Sequence, residues 1–284
     1  MLSDTANCYE LSNGVKIPSV GFGTWQAAEG EGTVDAVKAA LDAGYRHIDT
    51  AAAYKNEESV GRGVKKSGLA RNEVFVTSKV WNTEHGYEST LAAFESSLQK
   101  LQMDYMDLYL IHWPNPLKFR DCWERKNAET WKAMEELYAA GKVRTVGISN
   151  FMPHHIDALL KTAKIMPMVN QIKLCPGETQ DETVQYCREK DILLEGYSPL
   201  GTGKIFSVPE IRELSEKYQQ TAAQLCIRWS LQNGWLPLPK SVTEKRIKEN
   251  FRVFDFTISE EDMERISGLK SCCGDTPDPD ATPF

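Results

Sequence analysis

Apolar residues repeat along this chain in two patterns that alternate from one end to the other. Short runs rich in β-branched and aromatic residues, such as 47–49 and 108–111, predict buried strands. Between them lie longer segments whose apolar side chains recur every three to four residues, for example Leu91, Phe94 and Leu98, and this spacing predicts helices that bury one face. The chain is therefore predicted to consist of repeated strand and helix pairs.

Eight segments show the strand pattern, and together they decide the predicted fold class. They are 21–23, 47–49, 74–76, 108–111, 143–148, 168–171, 192–194 and 236–238. Short strands buried on both faces and separated by amphipathic helices indicate a parallel sheet. Eight such units in 284 residues favour closure into a (β/α)8 TIM barrel of the α/β class. An open, doubly wound sheet is the alternative, although Gly21-Phe22-Gly23 lacks the third glycine and the acidic residue of the dinucleotide-binding fingerprint.

An N-terminal hairpin is predicted before the barrel, over about residues 9–18. Asn13-Gly14 stands there between two short extended segments, and this pair is the strongest local signal for a tight hairpin turn. A C-terminal tail is expected over about residues 267–284. Because no linker interrupts the pattern, residues 1–284 are expected to form one domain.

Net charge and composition restrict the partners that are expected. The chain has 33 lysine and arginine residues against 40 aspartate and glutamate residues, a net charge of −7, which argues against nucleic acid or an anionic membrane surface as a partner. No apolar run is long enough to span a membrane, and residues 1–7 lack the features of a signal peptide, so a cytoplasmic location is expected. A monomer is expected because no heptad repeat calls for a partner. The seven cysteines are expected to be reduced thiols, including the adjacent Cys272 and Cys273, which cannot easily bridge each other.

Polar residues that close the predicted strands are the candidates for chemistry, because the reacting groups of such a barrel lie at the carboxyl ends of its strands. They are Asp49 with Tyr54, Lys79, His112, Ser149 with Asn150, Gln171, and Tyr197 with Ser198. Taken singly, each has an ordinary structural explanation, such as an ion pair between Asp49 and Lys79. Taken together, they converge on one rim of the barrel.

An acid, a lysine, a tyrosine and a histidine at one rim indicate a device that delivers a proton to a carbonyl oxygen. A charged Lys79 is expected to stabilise the phenolate of Tyr54 and to lower the pKa of that phenol from about 10 toward the working range. Asp49 is expected to hold Lys79 charged and in place. His112 is expected to donate an N–H to the carbonyl oxygen and to stabilise the charge that develops there.

Two other chemistries stay open but fit the residues less well. A Schiff-base aldolase would use Lys79 with a depressed pKa, whereas Asp49 would raise that pKa. A metal site would need three ligands at suitable spacing, and the chain has neither H-x-x-x-H nor H-E-x-x-H. His154 and His155 are adjacent and are expected to point about 100° apart on a helix, so that they cannot easily share one ion. No metal is expected.

Six motifs occur in order along the chain. They are Asp49-Thr50-Ala51-x-x-Tyr54-x-Asn56-Glu57, Lys79-Val80-Trp81, Ile111-His112-Trp113-Pro114, Gly147-Ile148-Ser149-Asn150-Phe151, Tyr197-Ser198-Pro199-Leu200-Gly201 and Pro239-Lys240-Ser241. Together they resemble the motifs of the aldo-keto reductase family. The resemblance covers about residues 11–266. It implies a (β/α)8 barrel that binds NADPH without a Rossmann fold and reduces aldehydes and ketones to alcohols.

The resemblance also implies a role for each matched residue. Asp49, Tyr54, Lys79 and His112 would be catalytic, with Tyr54 as the general acid. The cofactor would contact Gly23, Thr24, Trp25, Asp49, Ser149, Asn150, Gln171, Tyr197, Ser198, Leu200, Gly201, Lys240, Ser241, Val242, Arg246, Glu249 and Asn250. Within this set Gln171 would hold the nicotinamide carboxamide, Tyr197 would stack on the ring, and Arg246 would bind the adenosine 2′-phosphate.

Substrate specificity is the least determined part of the resemblance. The substrate, a small carbonyl compound, would lie against Trp25, Tyr54, Trp81, His112 and Trp113. Lys173 stands where the family often has glutamate and Cys175 where it often has histidine, which puts the packing around the sixth strand in doubt. The tail is short, unlike the long closing loop of specialised members, so broad specificity for small aldehydes and dicarbonyl compounds is expected.

Two alternatives to the implied roles stay open. Some relatives of this family keep the cofactor but serve as structural or regulatory subunits, although a complete proton-delivery set argues against that class here. The basic run Lys245-Arg246-x-Lys248 would in the second alternative be an ordinary solvated helix face.

Overall fold

The computed structural model describes residues 8–270 and 272–284. Residues 1–7, which argue against a signal peptide in the sequence, and Ser271 in the predicted tail lie outside the described residues. The described residues form ten strands: β1 (Cys8–Glu10), β2 (Lys16–Pro18), β3 (Phe22–Gly23), β4 (His47–Asp49), β5 (Phe75–Val80), β6 (Met106–Ile111), β7 (Val143–Ser149), β8 (Val169–Lys173), β9 (Leu193–Tyr197) and β10 (Leu236–Leu238). Strands β3 to β10 form one parallel sheet in chain order.

The first and last strands of this sheet meet and close it into a barrel. The backbone N–H groups of Gly21 and Gly23 donate to the carbonyl oxygens of Pro237 and Pro239 at 3.1 and 3.0 Å. A side chain at position 21 would lie 2.4 Å from Leu238 Cδ2, so this close approach requires glycine. The predicted (β/α)8 barrel is therefore confirmed, and the open doubly wound sheet is excluded.

Helices surround the barrel and complete the units that the apolar periodicity predicts. They are α1 (Glu31–Ala43), α2 (Glu57–Ser67), α3 (Tyr87–Leu101), α4 (Trp123–Ala139), α5 (Pro153–Leu160), α6 (Asp181–Glu189), α7 (Pro209–Tyr218), α8 (Ala222–Gln232), α9 (Glu244–Phe251) and α10 (Glu260–Ser267). Their apolar faces pack onto the sheet; Val37, Phe94 and Trp131 have 0–1% of their surface exposed. No helix among the described residues combines the length and the apolar character needed to cross a bilayer.

The predicted N-terminal hairpin is confirmed by antiparallel pairing of β1 with β2, in which Tyr9 lies opposite Ile17. Gly14 has a φ of 80° in the turn, a conformation that glycine adopts without strain. The strand boundaries differ from prediction at two sites that matter. Lys79 lies within β5, which extends to Val80 and not only to the predicted end at residue 76, and Gln171 lies inside β8, which extends two residues beyond its predicted end. Polar residues therefore occupy the carboxyl ends of these barrel strands, although the sequence pattern shows only the end of an apolar run at these positions.

The C-terminal tail crosses the barrel at the end where the strands finish. The carbonyl oxygens of Thr282 and Phe284 accept hydrogen bonds from Arg120 Nη2 and from the Leu117 N–H, at 2.6 and 3.0 Å. Asn115 Nδ2 donates to Asp280 Oδ1 at 2.8 Å. These bonds attach the tail to the segment between β6 and α4.

Candidate active site

Asp49, Lys79 and Tyr54 form one connected group at the carboxyl end of the barrel. Lys79 is fully buried, and its Nζ donates to Asp49 Oδ1 and Oδ2 at 2.9 and 2.8 Å and to the Thr50 carbonyl oxygen at 2.9 Å. The Tyr54 hydroxyl oxygen lies 3.3 Å from the same Nζ. Every hydrogen of the ammonium group therefore has an acceptor, which is the condition for burying a charged lysine.

The charges of this group favour an ammonium ion next to a neutral phenol. Burial alone would lower the pKa of Lys79, but the attraction of Asp49 and Tyr54 offsets burial and raises that pKa above its usual value. Burial raises the pKa of Tyr54, and Lys79 offsets only part of this rise while Asp49 adds to it. The sequence-based expectation of a lowered pKa for Tyr54 is therefore wrong in this structure, because the loss of water around the phenol outweighs the attraction of Lys79.

His112 completes the group as a neutral imidazole. Burial and the positive charge of Lys79 hold its pKa well below the usual value. Its ring packs edge-on against the rings of Tyr54 and Trp81, with centroids 5.7 and 5.1 Å away. Nδ1 has no hydrogen-bond partner among the described residues. A neutral imidazole carries one N–H, so it supplies a donor without adding a charge.

Four residues expected around a nicotinamide lie together next to this group. The Ser149 hydroxyl donates to the Gln171 carbonyl oxygen at 2.8 Å, and Asn150 Nδ2 donates to the His112 carbonyl oxygen at 3.0 Å. The Tyr197 hydroxyl donates to Asn150 Oδ1 at 2.9 Å. The ends of β7, β8 and β9 thus present one linked set of polar side chains.

The other residues expected at the cofactor divide between the barrel rim and its surface. Thr24 is buried, and its Oγ1 donates to the Asp49 carbonyl oxygen at 2.9 Å, next to Gly23 at the end of β3. Trp25 is 46% exposed. Ser198 and Gly201 both have a φ of 51°, which makes a tight turn after β9 before the 3₁₀ turn Gly201–Ser207. Leu200 lies between them.

Residues expected at the adenosine end of the cofactor, around its 2′-phosphate and its adenine, lie on the segment between β10 and α9 and on α9 itself. Lys240 Nζ donates to the Gln26 carbonyl oxygen at 3.3 Å, and Ser241 Oγ lies near the first turn of α9. Val242 is 56% exposed, Glu249 is half-buried and Asn250 is buried.

The three cations of α9 differ in how they are paired. Lys248 Nζ lies 2.6 Å from Glu244 Oε1, and Lys245 Nζ lies 3.8 Å from Glu249 Oε1. Arg246 is exposed, and no carboxylate in the part of the chain that the structure describes lies within 4.0 Å of it. Arg246 therefore differs from Lys245 and Lys248, which pair with glutamates of the same helix.

Phe284 packs against two of the aromatic residues expected at the substrate, and sequence reasoning missed this contact. Its ring stacks on Trp81 with centroids 5.8 Å apart and contacts Trp113 edge-on at 5.2 Å. These are the aromatic side chains expected to contact the substrate. The tail is short, and its length predicts broad specificity. It nevertheless adds one more aromatic side chain next to Trp81 and Trp113. An isolated phenylalanine at position 284 gives no sequence signal, because nothing in the pattern states where the tail packs.

The two departures from the family pattern are explained by the tail. Lys173 Nζ points to the tail and donates to the carbonyl oxygens of Gly274 and Asp275 at 2.9 and 3.0 Å. The Cys175 thiol is a hydrogen-bond partner of Cys273, and this bond lowers the pKa of Cys273 to about 7. Gln171 Nε2 bonds to Asp49 and Glu195 rather than to either of these side chains. All seven cysteines are free thiols, as expected.

His154 and His155 contradict the expectation that adjacent histidines point apart. Their Nε2 atoms lie 3.0 and 2.9 Å from the two carboxylate oxygens of Asp280, and their ring centroids are 3.8 Å apart. Both residues lie in the first turn of α5, where their side chains bend toward the same tail carboxylate. The Met152 N–H donates to His155 Nδ1 at 3.1 Å, so the ring proton is on Nε2 and bonds to Asp280 rather than leaving a lone pair for a metal.

Two further titratable residues, His47 and Glu195, lie inside the barrel below the site, and sequence reasoning missed both. Both are fully buried, and His47 Nε2 lies 3.8 Å from Glu195 Oε1. The signal for Glu195 is a charged residue in the apolar run 193–197, two residues before Tyr197 and so on the same face of the strand.

Comparison with known proteins agrees with this geometry. Residues 19–271 match the model of the family described as "Aldo/keto reductase family". The chain belongs to this family. It is an oxidoreductase of the aldo-keto reductase type, as the six motifs imply. The family match ends at residue 271, five residues beyond the stretch of about 11–266 over which the sequence resemblance extends.

Relatives and solved structures cover nearly the whole chain. A glyoxal reductase from Bacillus subtilis is 48% identical over 100% of this chain and 99% of its own length. The crystal structure of a variant of Gox0644 in complex with NADPH has a TM-score of 0.90 and 38% identity, over 98% of this chain and 99% of that chain. The structure of a Bombyx mori aldo-keto reductase in complex with NADP has a TM-score of 0.85 and 34% identity, over 92% of each chain.

Proposed function

We propose that this protein reduces small aldehydes and ketones to alcohols with NADPH, using Tyr54 as the general acid. The observation that supports this most directly is the fully buried Lys79, which contacts both Asp49 and the Tyr54 hydroxyl at the barrel rim. A buried, charged lysine aimed at a phenol stabilises the phenolate that remains after the proton has been donated. The family match and the glyoxal reductase relative support the reaction class.

The donor and acceptor pattern of the site fits NADPH at both of its ends. Gln171 Oε1 accepts no hydrogen bond from the described residues, so it is available to a carboxamide N–H. Arg246 offers a cation that is not paired on its own helix, and a phosphate monoester favours charge-assisted hydrogen bonds from such a group. Ser149 and Asn150 would hold the carboxamide with Gln171, and Tyr197 would lie on the ring. When bound, NADPH supplies a hydride to the carbonyl carbon.

Side chains of this protein then stabilise and neutralise the negative charge that develops on the substrate oxygen. His112 donates its N–H to that oxygen and orients the carbonyl group. Tyr54 transfers its hydroxyl proton to the same oxygen, which forms the O–H bond of the alcohol and leaves a phenolate. Lys79 stabilises the phenolate from 3.3 Å, and solvent later returns a proton to it. The raised pKa of Tyr54 permits this step, because an alkoxide is a far stronger base than a phenolate.

The geometry disfavours both alternative classes. A Schiff-base lysine must be neutral to attack a carbonyl group, whereas Asp49 and Tyr54 raise the pKa of Lys79. A regulatory subunit would not require the ring of Tyr54 to pack edge-on against His112 next to the Lys79 ammonium group. The deciding experiment is to follow NADPH absorbance with a panel of small aldehydes and dicarbonyl compounds. Turnover supports the reductase, tight NADPH binding without turnover supports a regulatory protein, and carbon–carbon cleavage without cofactor supports an aldolase.

Replacing Arg246 with alanine is expected to weaken NADPH binding by about 10- to 100-fold, because one or two charge-assisted bonds to the 2′-phosphate contribute about 1.5–3 kcal/mol in all. NADH binding is expected to change little. Titration of protein fluorescence with each dinucleotide measures both constants. The matched control is Lys248→Ala, which removes a cation already paired with Glu244. Equal weakening of both cofactors by Arg246→Ala would show that Arg246 does not contact the phosphate.

Replacing Phe284 with alanine is expected to raise KM for small apolar aldehydes by about two- to tenfold, because an aromatic contact contributes about 0.5–1.5 kcal/mol beyond its buried area. The affinity for NADPH is expected to stay unchanged, since Phe284 contacts Trp81 and Trp113 rather than the cofactor residues. Steady-state kinetics with a short aldehyde and with benzaldehyde measures the effect. Unchanged KM values for both substrates would remove Phe284 from the pocket.

A further inference from the structure

Glu195 carries a carboxyl group inside the barrel that the proposed reaction does not use. No part of this side chain is exposed, and its Oε2 accepts a hydrogen bond from Gln171 Nε2 at 2.7 Å. Its Oε1 has no hydrogen-bond partner among the described residues, and His47 Nε2 lies 3.8 Å from it. Burying an ionised carboxylate oxygen without a partner is costly, so a proton is expected on Glu195 Oε1.

Charge balance in the barrel interior leads to the same conclusion. The titratable groups that face Glu195 come from two strands: β4 contributes His47 and Asp49, and β5 contributes Lys79, with Tyr54 beyond it. Strand β8 contributes the neutral amide of Gln171. Strand β10 contributes only apolar residues. Lys79 gives two hydrogen bonds to the Asp49 carboxylate, and the two side chains form an ion pair. Burial lowers the pKa of His47 to about 3, so that ring is neutral. One cation is thus already balanced by one anion.

A second anion in this space is unfavourable, which leaves Glu195 protonated at neutral pH. Burial and the charge of Asp49 raise the pKa of Glu195 to about 8, against the opposing effects of Gln171 and Lys79. Two carboxyl groups that share one cation behave in this way because the second ionisation meets both repulsion and loss of water.

The amide of Gln171 is fixed between these two carboxyl groups. Its Nε2 donates one hydrogen to Asp49 Oδ2 at 2.9 Å and the other to Glu195 Oε2 at 2.7 Å. The Asp49 carboxylate, paired with Lys79, offers only acceptors, and Glu195 Oε2 is an acceptor when the proton is on Oε1, so the nitrogen of the amide faces both. The amide oxygen is therefore left for a ligand.

We propose that Glu195 is a positioning residue of this active site, which holds the Gln171 amide so that its oxygen receives the carboxamide N–H of the bound nicotinamide. The role of Glu195 rests on the proposed function, because it acts through Gln171 on NADPH. Ionisation of Glu195 would add a second negative charge beside Asp49 and make Tyr54 a weaker acid. The rate of carbonyl reduction is therefore expected to fall as pH rises through the pKa of Glu195.

The test compares Glu195→Gln and Glu195→Ala with a matched control, Glu57→Gln. Glu57 is another buried glutamate, bonded to Ser78 Oγ at 2.7 Å on the outer side of β5. Glu195→Ala removes the acceptor of a buried amide hydrogen, so NADPH affinity is expected to fall about tenfold. Glu195→Gln keeps a neutral acceptor, so its affinity is expected to stay within about twofold of wild type. Fluorescence titration with NADPH measures these constants without turnover.

Infrared spectra of the cofactor-free protein give a readout independent of activity. A carbonyl band of a buried carboxylic acid is expected at neutral pH, lost on titration with a midpoint of about 8, absent in Glu195→Gln and present in Glu57→Gln. The same band in Glu195→Gln would overturn the protonated state. Equal NADPH affinity of the alanine and glutamine variants would overturn the positioning role. If Glu195→Ala does not fold, the pH profile of kcat decides, because its decline above about pH 8 should move to higher pH in Glu195→Gln.

The two proposals fail in distinguishable ways. Wild-type protein that binds NADPH but reduces no aldehyde would overturn the reductase function, while the affinity and infrared measurements would still decide the role of Glu195. Active wild-type protein whose Glu195 variants all match it in affinity, band and pH profile would overturn only the role of Glu195.

Discussion

Tyr54→Phe is expected to lower kcat for aldehyde reduction by about 10²- to 10⁴-fold, the usual contribution of general acid catalysis. The phenol is the group that donates a proton to the substrate oxygen, and phenylalanine keeps its ring packed against His112 at 5.7 Å. NADPH affinity is expected to stay within about threefold of wild type, because the hydroxyl contacts Lys79 and not the residues proposed to hold the cofactor. Single-turnover kinetics at saturating NADPH separates the chemical step from binding.

The control for this variant is Tyr186→Phe. Tyr186 also bonds its hydroxyl to a carboxylate, that of Asp157, but on the outer helices. It is expected to keep wild-type turnover. Turnover retained by Tyr54→Phe would contradict the assignment of Tyr54 as the acid and would direct attention to His112 or water as the proton source.

Lys79→Met is expected to lower kcat for aldehyde reduction by a similar factor of about 10²–10⁴, because methionine cannot stabilise the phenolate of Tyr54. The loss of the cation also leaves Asp49 as an uncompensated buried carboxylate. Without Lys79 the phenolate forms only at higher pH. For the reverse reaction, alcohol oxidation, Tyr54 must act as a base, so its rate profile is expected to shift to higher pH.

The pH profile of alcohol oxidation with saturating NADP⁺ checks this shift. Lys217→Met is the matched control, because Lys217 also pairs with an aspartate, Asp262, at 2.6 Å but lies on α7 outside the barrel interior. It is expected to keep the wild-type profile. An unshifted profile in Lys79→Met would mean that Lys79 only neutralises Asp49 and does not stabilise the phenolate.

The sequence by itself determined the barrel and the identity of its chemical groups. Apolar runs such as 108–111 alternate with helical periodicity, and burial of apolar surface requires those two patterns to form strands and helices. Asp49, Lys79 and His112 follow or end such runs, so their position at one rim is a direct consequence of parallel strands. Asn13-Gly14 likewise specifies its turn through local backbone preference alone.

Only the tertiary structure decided how those groups are paired and which residues complete them. Glu195 of β9 bonds to Gln171 of the neighbouring strand β8, and Phe284 at the C-terminal end of the sequence stacks on Trp81. No local pattern encodes these contacts, since the residues involved are 24 and more than 200 positions apart. The pKa of Tyr54 shows the same limit. Its direction depends on how much water the fold removes from the phenol, and burial is a property of the whole packed barrel rather than of any one segment.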